Sequence, residues 1–384
     1  MKIAYISLTS FSDCDLPLIK EMTDRGVDIT YYLIVADSTK KGALINIGKV
    51  KDVCKVLPAS DYPELDVVAP YIDISKVRVA NMPVPHSYAP SSFLLAYRLR
   101  KELSRGNFDL IHVTWPLDYP FYQLYTLRKP FVVTVHDPIP HSNDKTFRSK
   151  FKRSAIFKRA DRYILLNKIQ KEMFENRYKI NDSDVEISRL GIYTHLKNVP
   201  AQKPMVKDDY ILFAGSIFPY KGVRYITQAM EAINKKHPGI KLVIAGRGVL
   251  DFDIEPYIKS GQVVLINRFI TNEELASLIT YSKFVCCPYR DATQSGVVMS
   301  AFALNKPVLA TRVGALHEMI DEGRHGMLVP PCDSDALALA ADTMLTGDAL
   351  DRMAENIRHD YSQGNRSWGY IAEETIKIYE KTMV

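Results

Sequence analysis

Residues 284–318 read FVCCPYRDATQSGVVMSAFALNKPVLATRVGALHE, a strand, helix, strand unit. Phe284 to Pro288 is a short apolar run with the length and bounding of a buried parallel strand. Asp291, Ala292, Thr293 and Gln294 form a loop of small and polar residues. Ser295-Gly296 then opens a helical run that continues to Leu304. Asn305-Lys306-Pro307 breaks it, and Val308 to Thr311 is the next buried strand. The helix start is sterically bare: Ser295 is a good N-cap, and Gly296 lets another backbone or a ligand come close. The free N–H groups of Gly296, Val297 and Val298 point over the loop, where the helix dipole favours an anion.

Outward from this unit the same alternation continues in both directions. Upstream, Ile211 to Ala214, Leu242 to Ala245 and Val263 to Ile266 are strands, with helices at Gly222 to Lys236 and Asn272 to Thr280. Downstream, Met327 to Val329 is a strand. The first half repeats the architecture, with strands at Ile3 to Leu8, Ile29 to Val35, Val77 to Ala80, Leu110 to Val113, Phe131 to Val135, Tyr163 to Leu166 and Val185 to Ser188. Short apolar runs separated by helical patterns predict parallel sheets covered on both faces. The alternation stops at HLKNVPAQKPMVKDD, residues 195–209, which is polar and carries two prolines. The expected organisation is therefore an α/β protein of two Rossmann-like doubly wound domains. Residues 1–195 form the first, 196–209 the linker and 210–365 the second, and 366–384 are a helix crossing back. Such sheets place ligands outside the carboxyl ends of their strands, so a cleft between the domains is the expected site.

Composition narrows the classes. At 384 residues, 47% of them hydrophobic, the chain is long enough for two cores. A net charge of +6 without a Lys/Arg block does not call for nucleic acid. The five cysteines (Cys14, Cys54, Cys286, Cys287 and Cys332) make no CxxC pair, and two lie in an apolar strand, which fits a reduced, cytoplasmic chain without a structural zinc. The opening residues read as a first strand rather than a signal peptide, and no apolar run is long enough to span a membrane. An oxidoreductase is disfavoured, because no GxGxxG follows the first strand.

A second element faces the same end of the second sheet. At Gly215-Ser216-Ile217-Phe218-Pro219-Tyr220-Lys221-Gly222 a buried strand ends in glycine and a helix starts, so Lys221 brings an ammonium to a helix N-terminus. Two such loops in one Rossmann-like half point to a shared anion. With these residues the second half resembles the donor domain of the retaining glycosyltransferases of family 4, which have the GT-B fold. Further points of similarity are Ala245-Gly246-Arg247-Gly248, FITNEEL from Phe269, Pro288, Lys306-Pro307-Val308, Gly314 with Glu318, and Gly326 to Pro330. The first half is also similar, at Val135-His136-Asp137, Ala160-Asp161-Arg162 and Arg189 to Ile192. There are three departures. Ser216 stands where an arginine is frequent, Ala292 and Ser300 stand where a Glu-x7-Glu pair is usual, and the opening loop Thr9 to Asp13 has no glycine.

The resemblance implies transfer of a sugar from a nucleoside-diphosphate sugar to a hydroxyl acceptor with retention, in polysaccharide or glycolipid synthesis. It implies Lys221 and His136 as catalytic groups, and Gly215, Ser216, Lys221, Ser295, Gly296 and Val297 around the diphosphate. Ser300, Arg247 and Arg268 are the candidates for ribose or base, and Thr9, Ser10, Phe11 and Asp13 for the acceptor side. Asp137 would hold the His136 tautomer or cap a turn. No cofactor is expected beyond the nucleotide sugar. The three Asp-x-Asp pairs sit at turns or helix starts and read as caps, so no metal is expected. The basic run from Lys145 to Lys179 is either a solvated face or a surface for anionic lipid, which would make the enzyme peripheral at the inner face of a membrane. The missing acidic pair keeps open a non-catalytic nucleotide-sugar binder, and a GT-B epimerase is the other alternative.

Overall fold

The computed structural model describes residues 1–36, 41–42, 44–50, 54–82, 89–114, 119–136, 157, 159–200 and 203–384. They form two compact units, Met1–Arg189 with Trp368–Val384, and Leu190–Ser367. Both units are Rossmann-like α/β sheets.

The strands of the first unit are β1 (Lys2–Leu8), β2 (Asp28–Val35), β3 (Val56–Pro58), β4 (Val77–Asn81), β5 (Leu110–Val113), β6 (Phe131–Val135), β7 (Arg162–Leu165) and β8 (Val185–Ile187). Among the described residues they make one sheet in the order β3-β4-β2-β1-β5-β6-β7-β8. All pairs are parallel except β3 on β4, which is antiparallel. The interior strands are buried on both faces, as their unbroken apolar runs predict. The edge strand β3 was not expected from the sequence. It has three residues and ends in Pro58, which lacks a ladder donor and suits only an edge.

The helix Trp368–Met383 belongs to this first unit. Its Tyr379 hydroxyl bonds His112 Nδ1, and the other ring nitrogen meets Thr134 Oγ1 at 2.8 Å. Burial pushes His112 down to about 3, so the ring stays neutral. At the surface, Lys381 reaches Glu186 at 2.6 Å.

The helix Ser12–Asp24 sinks a carboxyl into the same core. Asp15 accepts from the hydroxyls of Ser7, Tyr5 at 2.9 Å and Thr114 at 3.2 Å. Burial pushes it up to about 7, although the bonds from Ser7 and Tyr5 pull the other way. An unfolded aspartate titrates near ~4. Between there and about 7 the folded chain holds the extra proton, so Asp15 removes stability as pH rises through that window and no more above it. Asp15→Asn keeps the shape and one acceptor but not the charge. Its urea midpoint relative to wild type should therefore rise from about pH 4 to about pH 7 and level off above. Asp13, pushed by burial to about 6, is common to both proteins. A difference that stays flat across that range would overturn this account of Asp15.

The second unit has β9 (Tyr210–Ala214), β10 (Lys241–Ala245), β11 (Val263–Ile266), β12 (Val285–Cys287), β13 (Val308–Thr311) and β14 (Gly326–Val329), all parallel, in the order β11-β10-β9-β12-β13-β14. Strand order reverses between β9 and β12. There the crossovers leave in opposite directions and open a crevice at the carboxyl ends, the position at which such sheets bind ligands.

The polarity of residues 195–209 set the expected boundary slightly late. Ile192, His195 and Leu196 are buried in the second unit, and the units divide between Arg189 and Leu190. A one-turn helix, Thr194–Asn198, hides its apolar contacts inside a polar run. At the far side of this unit, Asp360 accepts from Nε and Nη2 of Arg324 at 2.7 Å each and meets His325 Nε2 at 2.8 Å. Arg366 holds Asp321 at 2.6 Å. Asp321, His325 and Asp360 are close enough to share an ion, but the two arginines already balance their charge. This is a strap tying the helix Ala349–Ser362 to the loop before β14.

Candidate functional site

The two loops at the switch point of the second sheet converge. After β9 the chain turns at Gly215 (φ +116°), makes a single turn at Pro219–Lys221 and enters the helix Val223–Lys236 through Gly222. Gly222 has φ +66°, and a Cβ there would lie 1.8 Å from the carbonyl oxygen of Pro288, just beyond β12. Only glycine fits that approach. The Arg290 N–H donates to the Tyr220 carbonyl at 2.7 Å, fixing the loops to each other.

Between them lies the Lys221 ammonium. Its Nζ stands 3.6 Å from the centroid of the Tyr289 ring and 5.2 Å from that of Tyr220. No carboxylate pairs with it among the described residues. Burial lowers its pKa, with the nearby Cys287 pulling weakly the other way. A cation held by ring faces keeps its charge available to an incoming anion.

The helix Gly296–Ala303 begins beside it. Ser295 is the N-cap, its hydroxyl accepting from the Val298 N–H at 3.4 Å. This corrects one expectation: Val298 is not a free donor, because the cap uses it. The N–H groups of Gly296 and Val297 remain open among the described residues. The Tyr193 hydroxyl lies so close that a Cβ on Gly296 would approach it to 2.7 Å, and one on Gly215 would touch Val297 at 3.5 Å. The Tyr289 hydroxyl meets Ser295 Oγ at 3.3 Å. Gln294 adds a buried amide nitrogen with no acceptor among the described residues. Ser295→Ala should cost about 1 kcal/mol, the usual worth of a cap, seen as a lower urea midpoint at unchanged slope.

The other expected residues of this half are dispersed. Ser216 and Arg247 are exposed on the loops after β9 and β10. Arg268 is committed elsewhere: Glu274 takes it bidentately at 2.7 Å while completing a capping box with Thr271. Ser300 is buried and its hydroxyl donates to the Gly296 carbonyl at 3.0 Å, so its proton serves its own helix. The Asp-x-Asp residues take local roles. Asp333 caps the helix Ser334–Leu345, Asp253 accepts from the Glu255 N–H, and Asp182 and Asp184 pair with Lys171 and Arg162.

In the first unit, Thr9, Ser10 and Phe11 follow the carboxyl end of β1, and His136 follows that of β6. The Phe11 and His136 rings stack at 4.3 Å and 24°. Asp13 lies buried in the first turn of its helix, accepting weakly from the Cys14 thiol at 3.5 Å. The structure thus gathers Phe11 and His136 at one end of this sheet. Asp137 lies outside the described residues, as do 145–156 and 158 of the basic run. The described remainder is largely paired internally. Arg159 donates to the carbonyls of Leu127 and Lys129 at 2.8 Å, Arg162 meets Asp184 at 2.9 Å and Lys171 meets Asp182 at 2.6 Å. Among the described residues no helix is long and apolar enough to cross a membrane.

Lys221, Ser295 and Gly296, expected from the sequence, lie together here with Tyr193, Tyr289 and Gln294, which were not among the expected site residues. The only linear hint for Tyr289 was its place at the end of a buried strand.

Comparison with known proteins gives the family and the fold. A model of the glycosyltransferase family 4 domain matches residues 18–196, and one of group 1 glycosyl transferases matches residues 208–347. The α-D-kanosaminyltransferase of Streptomyces kanamyceticus is 25% identical over 369 residues, 88% of this chain and 91% of that protein. The MMP α-(1→4)-mannosyltransferase of Mycolicibacterium hassiacum is 24% identical over 314 residues, covering 73% of this chain and 72% of its own length. Among solved structures, Anabaena HepE in complex with UDP-glucose superposes with a TM-score of 0.66 at 15% identity, over 99% of this chain and 100% of that one.

Proposed function

Since the chain is a family 4 glycosyltransferase of the GT-B fold, we propose that it moves a sugar from a nucleoside-diphosphate sugar to a hydroxyl acceptor with retention at the anomeric carbon. One observation carries the reading of the site: the Lys221 ammonium, with no carboxylate partner among the described residues, beside N–H groups of Gly296 and Val297 that are open among the same residues, at a switch point. As the glycosidic bond breaks, charge develops on the β-phosphate oxygen. Donors already aimed at that oxygen stabilise it without reorganisation. Lys221 and the helix dipole supply the positive potential that a divalent ion provides elsewhere, so the proposal needs no metal. The buried Gln294 amide is a further donor for a ligand oxygen. His136, backed by Phe11, is assigned to the donor sugar or its phosphate, and Thr9 to Asp13 to the acceptor.

The acceptor class is a glycan or a lipid-linked sugar. Ala292 and Ser300 leave the ribose without the usual acid, so backbone and Lys221 bear more of the donor binding. The test is a thermal-shift panel of UDP-, GDP-, ADP- and dTDP-sugars, followed by NMR of the product anomer. Stabilisation by one nucleotide sugar and a product of retained configuration are expected. No shift with any of them would sink the reading, and an inverted anomer would sink retention. Binding without release of nucleoside diphosphate would favour the non-catalytic reading that Ala292 and Ser300 keep open. Product from donor alone would favour an epimerase.

A further inference from the structure

Tyr289 touches both halves of the anion site. It is 1% exposed, just beyond β12, and its backbone carbonyl accepts from the Thr311 hydroxyl. The face of its ring lies 3.6 Å from Lys221 Nζ, and its hydroxyl lies 3.3 Å from the oxygen that caps the helix at Ser295. A lysine side chain has four flexible carbons, and something must hold its head in place. A carboxylate would do so but would cancel the charge that an anionic ligand needs. The negative face of an aromatic ring attracts the ammonium and leaves its net charge intact, and the attraction strengthens when water is excluded.

We propose that Tyr289 is the positioning residue of the diphosphate site: its ring aims the Lys221 ammonium, and its hydroxyl ties that ammonium to the capped helix start. The inference rests on the reading of Lys221 as the diphosphate ligand. Tyr220, at 5.2 Å and half exposed, is too distant and too wet to replace it. The Cys287 thiol, fully buried, lies close enough to Tyr289 and Ser295 to interact with both. The tyrosine, 1% exposed, is enclosed by its neighbours.

The test measures dissociation constants for UDP, GDP and ADP, with inorganic diphosphate as the base-free reference. Tyr289→Leu should weaken the preferred nucleotide about 10- to 30-fold, as loss of a desolvated cation–π contact does, and Tyr289→Phe no more than about 3-fold. In a Lys221→Met background Tyr289→Leu should have no further effect, because the tyrosine acts through the lysine. Replacing Tyr289 with phenylalanines of increasing fluorination drains the ring face at constant shape, and affinity should fall stepwise. This series also serves if the leucine variant does not fold. Wild-type affinity for Tyr289→Leu, an equal loss in the Lys221→Met background, or indifference to fluorination would each overturn the proposal. Wild-type affinity in Lys221→Met alone would overturn the diphosphate reading itself.

Discussion

Lys221→Ala is expected to cut sugar transfer at least ~100-fold, the scale on which enzymes lose a preoriented electrostatic group. Stability should move the other way or not at all. The ammonium is desolvated and faces no carboxylate among the described residues, so the penalty relieved by its removal offsets the lost contact with the Tyr289 ring. A fall in activity together with an unchanged or raised unfolding midpoint separates loss of charge from loss of structure. The pH dependence adds a second signature. Burial lowers the pKa of Lys221, so the wild-type enzyme should lose activity on the alkaline side before an ordinary lysine, near ~10.4, would deprotonate. Near-normal transfer by the alanine variant would remove Lys221 from the chemistry.

Gly222→Ala is the second large effect. The position needs φ +66°, which costs a non-glycine residue about 1 kcal/mol or more, and the new methyl would meet the Pro288 carbonyl at 1.8 Å. No rotamer relieves that contact, because both partners are fixed to the backbone. The loops must part, and the unfolding free energy should drop by about 2–4 kcal/mol with a parallel loss of nucleotide affinity. Gly239→Ala is the control. Its φ is +89° with nothing within 4 Å, so it carries the backbone strain without the collision. Equal losses from the two variants would show that the Gly222–Pro288 approach contributes nothing.

Much of this was legible in the chain because it depends on local rules. Buried parallel strands announce themselves as apolar runs, and Ser295-Gly296 and Lys221-Gly222 announce helix starts. What stayed hidden depends on tertiary approach. Nothing linear to Tyr193 says that its hydroxyl will lie against Gly296, or to Tyr289 that its ring will face a lysine far upstream. Arg268 shows the converse error. Its place after a strand suggested a ligand, yet the capping sequence FITNEEL already contained Glu274, the partner that claims it. Ser300 likewise spends its proton on its own helix, as serines inside helices tend to. Polar composition concealed the start of the second unit, because one turn with two buried residues is too short to register as a pattern.

The docking of Trp368–Met383 onto the first sheet has a consequence for biosynthesis. The second unit is one contiguous segment, whereas the first needs Tyr379 to satisfy His112 and Trp368, Ile371 and Ile378 to cover its core. A ribosome adding roughly 5–20 residues per second finishes the second unit while the earlier one still waits for its cover. The part of the chain made first is thus the last to close, and for those seconds a chaperone would find its client at the amino-terminal sheet.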